Sequence, residues 1–474
     1  MARGRRFVKV GVAGQPQSGS CPVESGYAAG CGGGLGQRPP RLFPAGGRCF
    51  GRGAGRAAFL CELIGPLPLA TRQVSAWSFA LPMPLLEVVD ARLARLFQDL
   101  PARLHGGQPA YIGPLAAEVE AVFDPAKNLS FAHGEAIRWV LTDAAGAVVG
   151  RVAAFLNRMA PAVADADLPT GGLGFFECID DQTAANALFD AGRAWLAARG
   201  MQAMDGPVNF GERDRFWGLL VDGFDLEPTY GMFWHPPYYQ RLFEHYGFQV
   251  YFKQYTYARA VADPLHPSFA RRAAALAAEQ PAYHFAHARK SDPERMAQDF
   301  HHVYNLAWAN HAGVPPMTLD KARQLVQQMR PVLDERLLWF AYHHDEPVAF
   351  FLSLPELNQI LKHVGPRLDL VGKLRFVWEQ WRYQHRRPKK MFGVIYGVVP
   401  AHQGRHVDAV LVTYARQAME DAGYTDSEMN WIGDFNPRMM VTMRSVGAKV
   451  CKTHVTYRKL FDESRPFERC PVIR

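Results

Sequence analysis

The segment best suited to chemistry is Val398-Val-Pro-Ala-His-Gln-Gly-Arg-His-Val-Asp-Ala-Val-Leu-Val412. An apolar strand ends at Pro400, a short basic loop containing Gly404 follows, and a helix begins near Val407. The free N–H groups of a helix start, with the dipole behind them, attract anions. Arg405, His402 and His406 add positive potential there. A loop of this kind suits a pyrophosphate.

The elements around it occur twice. Tyr246-Gly-Phe-Gln-Val-Tyr-Phe-Lys-Gln-Tyr-Thr-Tyr257 aligns with Val446-Gly-Ala-Lys-Val-Cys-Lys-Thr-His-Val-Thr-Tyr457, and Trp139 to Phe155 aligns with Trp339 to Pro355 at the same offset. Two matches at one offset indicate a duplicated unit. Each copy reads as strand, helix, two-stranded hairpin, central strand, helix, strand, helix and final strand. In copy two, Val407 to Ala422 carries apolar residues on one helical face, with Gly423 beyond its end. Copy two has an insertion around Pro355 to Lys390, and copy one has one after Asn209, through Trp234.

With these residues in view, the chain resembles the GCN5-related N-acetyltransferase (GNAT) superfamily. That family has a strand ending Val-x-Pro, then Arg/Gln-x-x-Gly-x-Gly/Ala at the next helix start. Gln403 fits the first signature position. Trp431-Ile-Gly-Asp-Phe-Asn436 and Ser445-Val-Gly-Ala448 match later family segments, as do Met204-Asp-Gly-Pro-Val-Asn209 and Tyr246-Gly-Phe248 in copy one. The resemblance covers most of Met83 to Asp462. It implies an α/β fold of two tandem GNAT-like domains, each a mixed, mostly antiparallel sheet flanked by helices. The expected boundaries are a leader over 1–82, domain one over 83–260, a linker over 261–268, domain two over 269–462 and a tail over 463–474.

The resemblance also implies acetyl-CoA or another acyl-CoA as donor, bound by copy two. Val398 and Val399 would give main-chain contacts to the pantetheine arm. Gln403, Gly404, Arg405, His406, Val407 and Asp408 would wrap the pyrophosphate, and Asn436 would complete the site. The reaction is attack by an amine on the thioester, which needs a base and donors for the oxyanion. Glu428 is the expected base, its plain alternative being a solvated edge-strand carboxylate. The family's usual acidic tyrosine would fall near Met443, so either that acid is missing or another group, such as Tyr457 or a water, substitutes. His406 and Asp408 stand where the signature has glycines. Asp408 brings negative charge, and a side chain at 406 crowds the close approach that glycine permits.

Copy one has Ile179-Asp-Asp-Gln-Thr-Ala-Ala185 at the matching place. It lacks a glycine, and its aspartates would repel phosphate, so copy one is not expected to bind CoA. The loop Gly206 to Trp217 offers Asn209, Glu212 and Arg213 for an acceptor between the copies. The acceptor class is a small-molecule or peptide amine. Two other readings stand beside the N-acyltransferase: a catalytically inactive GNAT-fold ligand-binding or regulatory protein, and an aminoacyl transferase of the Fem kind.

Charge distribution narrows the partners. Net charge is +8, but residues 1–82 hold 10 Lys+Arg against 2 Asp+Glu, so residues 83–474 are balanced. A balanced body gives no support for a polyanion-binding surface, and no nucleic-acid partner is expected. The leader is Gly-rich and aperiodic. It reads as a disordered segment, a transit segment, or sequence upstream of a true start at Met83. No apolar run approaches a membrane span, so no membrane partner is expected. Cys178, Cys451 and Cys470 are the only cysteines after residue 82, which suggests a reducing, cytoplasmic setting without disulfides. His301-His302 and His343-His344 lack the spacing of a metal site, and none is expected. The basic cluster Arg382, Arg386, Arg387, Lys389 and Lys390 reads as a solvated helix end. A monomer is expected, a dimer being the alternative.

Overall fold

A computed structural model describes residues 83–158, 168–279, 282–308, 316–385 and 388–473. The expectations for the leader over 1–82 therefore lie outside the described residues.

Copy one runs through β1 (Leu85–Glu87), α1 (Ala91–His105), α2 (Ala116–Val122), β2 (Gly134–Thr142), β3 (Val148–Asn157), β4 (Thr170–Cys178), α3 (Gln182–Ala197), β5 (Ala203–Gly206), β6 (Leu219–Asp222), α4 (Tyr238–His245) and β7 (Gln249–Ala260). A helix not anticipated from sequence, α5 (Pro267–Glu279), opens copy two. There follow β8 (Tyr283–His287), α6 (Pro293–Trp308), α7 (Leu319–Met329), β9 (Leu338–His343), β10 (Glu346–Pro355), α8 (Asn358–Val364), α9 (Leu370–His385), β11 (Lys389–Val398), α10 (Val407–Asp421), β12 (Tyr424–Gly433), α11 (Pro437–Ser445) and β13 (Lys449–Leu460). The expected elements occur in the expected order in both copies, with α2, α5 and α7 added, and β7 and β13 begin 200 residues apart.

The two copies share one continuous sheet, in the order β1-β2-β3-β4-β5-β13-β7-β12-β11-β10-β9-β8. Within it the copies exchange their last strands. β13, from copy two, pairs with β5 of copy one through Tyr457↔Gly206 to Leu460↔Ala203. β7, from copy one, pairs with β12 of copy two through Asp426↔Ala260 to Gly433↔Gln254. β7 and β13 are antiparallel to each other along most of their length. Each half is therefore completed by a strand of the other copy.

Helices cover both faces of the sheet. α10 buries Val407, Val410, Leu411, Ala415 and Met419 against β9 and β10, the stripe its 3.6-residue pattern calls for. On the opposite face α6, α7 and α8 cover Phe340, Phe350, Leu352 and Phe392. In copy one, α3 and α4 pack Leu188, Phe189, Leu242 and Phe243 over Phe176 and Leu173.

Candidate active site

β11 and β12 run parallel and stay paired only as far as Gly393↔Met429. Beyond that point β11 continues to Val398, with β10 alone beside it. The strands thus diverge into a wedge. Val399 N–H donates to Val348 O at 2.9 Å, on the β10 side. Alternation along the strand then turns the Val398 main chain toward the wedge, where Val398 O accepts from Gln403 Nε2 at 3.0 Å. Gln403 thus folds back on its own strand.

The loop beyond the wedge turns through two left-handed residues. Gly404 has φ +75° and His406 φ +67°, both left-handed. A residue with Cβ in that region stores about 1 kcal/mol or more of strain. The His406 side chain does not cap α10, and Ala409 N–H donates to His406 O at 3.1 Å, so it is the N–H groups of Val407 and Asp408 that face the loop for an anion. The feared charge of Asp408 is drawn aside: its carboxylate lies 3.5 Å from Arg272 of α5. These features fit a pyrophosphate.

His343 and Tyr283, which the sequence did not place there, join this loop. The β9–β10 turn brings the His343 ring to 5.2 Å from that of His402, whose Nδ1 lies 2.6 Å from Tyr283 OH. Partial burial, then the neighbouring positive groups including Arg405, hold His343 and His402 below the usual histidine pKa. Arg405 itself is exposed. Asn436 is the N-cap of α11, its side chain accepting from Met439 N at 3.2 Å.

Tyr457 stands elsewhere, which corrects the expectation for it. Strand exchange puts it in the copy-one core, fully buried against Phe243, with its hydroxyl 3.0 Å from Glu244. Its counterpart Tyr257 lies on β7 opposite Met429, one strand from the mouth of the wedge. Tyr257 is buried in a cluster with Ile432, Ala409, Met429, Met439 and Met443. Burial raises its pKa, so it remains protonated at neutral pH. The 200-residue offset names this residue, but only once the exchange is known.

Glu428 is neither at an edge nor in solvent. β12 lies between β7 and β11, and Glu428 is 4% exposed. Its carboxylate meets Lys390 Nζ at 2.5 Å and Lys452 Nζ at 2.7 Å. Burial would raise its pKa, but the two ammonium groups overcome that and hold it below the ordinary value. Lys452 also donates to Glu227 O at 2.6 Å. The copy-one insertion thus reaches onto copy two: Thr229 Oγ1 donates to Asn430 Oδ1 at 2.8 Å, and Tyr230 N to Glu356 Oε1 at 2.9 Å. The predicted acceptor residues lie earlier in that insertion. Asn209 Nδ2 donates to Glu212 O at 3.1 Å, while Glu212 and Arg213 are exposed, Arg213 lying near Trp217.

Copy one closes the equivalent wedge. Tyr239 OH accepts from Cys178 N at 2.9 Å and donates to Glu177 at 2.8 Å, while Tyr238 OH donates to Cys178 O at 2.7 Å. Both main-chain groups at the end of β4 are therefore occupied. Asp181 caps α3 through Ala184 N at 2.8 Å. Tyr239 and Phe243 of α4 are fully buried, whereas Met439 and Met443, their counterparts on α11, are only partly so. Among the described residues no His, Cys, Asp or Glu cluster suits a metal ion.

This order of elements, carried twice around diverging central strands, is a tandem GNAT-like fold. The chain is 29% identical over 373 residues to the bacterial ceramide synthase of Caulobacter vibrioides (strain NA1000 / CB15N), covering 77% of this chain and 94% of that protein. It is 24% identical over 384 residues to Protein YghO of Escherichia coli (strain K12), covering 77% and 92%. Among solved structures it is similar to a tandem GNAT protein from the clavulanic acid biosynthesis pathway, with TM-score 0.46 and 11% identity over 82% of this chain and all of that one. No family model matches.

Proposed function

We propose that the protein is an acyl-CoA-dependent N-acyltransferase whose copy two holds the donor and whose acceptor is a long-chain amino alcohol. The observation that carries this reading is the contrast between the copies. At the copy-two wedge Val398 O is held by Gln403 of the adjoining loop, and His406 leaves α10 without a side-chain cap, while two tyrosines and the Asp181 cap fill the copy-one equivalent. The acceptor class is drawn from the 29% identical relative named a ceramide synthase, since a ceramide is an amide of such an amine.

Acyl-CoA, when bound, supplies an activated thioester carbonyl. Arg405, His402 and the first turn of α10 hold its phosphates, and the Val398 main chain meets the pantetheine once Gln403 swings away. The neutral amine's nitrogen bonds to the carbonyl carbon, the C–S bond breaks, the leaving thiolate takes a proton from Tyr257, and the proton the nitrogen loses passes through water to the tyrosinate, restoring it. Glu428 was expected to take the ammonium proton. Its two lysines lower its basicity, and we assign it instead to holding the charge between the copies in place.

Calorimetric titration of the full chain with palmitoyl-CoA and acetyl-CoA tests donor binding. Saturable binding that Arg405→Glu weakens by about tenfold or more supports the reading. Mass spectrometry of reactions with sphinganine and with a short amino alcohol tests the acceptor. Donor binding without amide product from either amine would sink the transferase proposal.

A further inference from the structure

α9 exposes an apolar face. Leu370, Val371, Leu374, Val377, Trp378 and Trp381 are each between 52% and 76% exposed. At about 100° per residue they fall within an arc of about 120°. The opposite side anchors the helix: Gly372 and Tyr383 are buried, Phe376 packs on the copy-two core, and Tyr383 OH donates to Lys390 O. The outward face is therefore a second apolar surface, turned away from the core. Trp378 and Trp381 stack on it with ring centroids 5.3 Å apart.

Charge names what fits the face. Lys373 flanks the apolar arc on one side, and Arg375 and Arg382 on the other, all exposed; Arg382 also pairs with Glu379 at 2.7 Å. Arg386 and Arg387 follow in sequence. An apolar stripe with tryptophans, bordered by cations, matches the apolar-to-anionic gradient of a bilayer interface. A second copy suits it less, because a two-fold contact would bring the cationic borders together. A span is not in question: no helix among the described residues is long and apolar enough to cross a membrane.

We infer that α9 lies in the surface of an anionic bilayer, with Leu374, Val377, Trp378 and Trp381 entering the acyl boundary and Lys373, Arg375 and Arg382 meeting lipid phosphates. This goes beyond the transferase reading and does not depend on it. The test is flotation of the full chain with phosphatidylcholine vesicles, with and without phosphatidylglycerol. The wild type floats with the phosphatidylglycerol vesicles, and Leu374→Glu/Trp378→Glu lowers the bound fraction by about tenfold or more. Should that variant unfold by circular dichroism, Lys373→Glu/Arg375→Glu keeps the apolar face and loses the preference for anionic lipid. The inference is overturned by a wild type that floats with neither vesicle, or by folded variants that float as it does. It is also overturned if light scattering finds a wild-type dimer that Leu374→Glu/Trp378→Glu makes monomeric, since a second copy would then cover the face.

Discussion

Tyr257 and Tyr457 occupy the same place in the repeat, yet each works in the half built mainly by the other copy. Tyr257 pairs with Met429 of β12, and Tyr457 with Gly206 of β5. The exchange separates their consequences. Tyr257→Phe removes the proposed proton donor and should lower kcat by about 10² with little change in KM or melting temperature. Tyr457→Phe removes only the contact with Glu244 and should cost about 1 kcal/mol of stability with kcat unchanged. Steady-state kinetics beside urea unfolding checks both, and the reverse pattern would withdraw the assignment of Tyr257.

The buried triad of Lys390, Glu428 and Lys452 ties the insertion of copy one to the sheet of copy two. Lys452→Met leaves Glu428 with one cation and Glu227 O without its donor, at an expected cost of about 3–5 kcal/mol. Glu428→Gln/Lys452→Met should recover part of that loss. The sign of the pH effect follows from the carboxylate's lowered pKa. The stabilisation is fully present above the ordinary value of 4.5 and disappears as pH falls through the depressed folded value. Urea midpoints between pH 7 and pH 3 should fall less steeply in the double variant than in the wild type.

Tyr239 makes copy one a closed counterpart of the candidate site. Tyr239→Phe leaves Cys178 N–H without its buried partner and removes one donor from Glu177, which keeps His105 and Arg151, at a cost of about 1–3 kcal/mol. It should not create a second donor site, because Asp180 and Asp181 still stand at the start of α3. Calorimetry should find a single class of acyl-CoA site in wild type and variant alike. A second class appearing in the variant would contradict the account of copy one.

What was legible in the sequence is what local pattern encodes. The repeat at Gly247/Gly447 and Thr256/Thr456, the α10 stripe and the turn at Gly404 are all periodicity or turn chemistry. Strand exchange is not encoded locally. β7 and β13 share one pattern, so either could complete either half, and only tertiary pairing decides. The same holds for Tyr283 beside His402 and for Arg272 beside Asp408, which meet across 119 and 136 residues. The α9 face was hidden differently: its charged margins read as a solvated helix end, and which side faced outward depended on the buried Tyr383 and Phe376 beneath it.

His343 and His402 give donor binding a pH dependence of predictable sign. Partial burial and nearby positive groups lower both pKa values, so both rings are neutral at pH 7.5 in the free protein. A pyrophosphate at the start of α10 would bring negative charge close to His402 and, through the 5.2 Å ring contact, within range of His343. Bound phosphate then raises both pKa values, and linkage requires proton uptake on binding. Affinity for acyl-CoA should therefore rise as pH falls from about 8 to about 6, until the phosphates themselves take up protons near pH 6. Titration in two buffers of different ionisation enthalpy measures the uptake directly. His343→Asn/His402→Asn should flatten the pH profile while leaving saturable binding at pH 8. An unchanged profile in that variant would place the donor's phosphates away from these histidines, and with them the site itself.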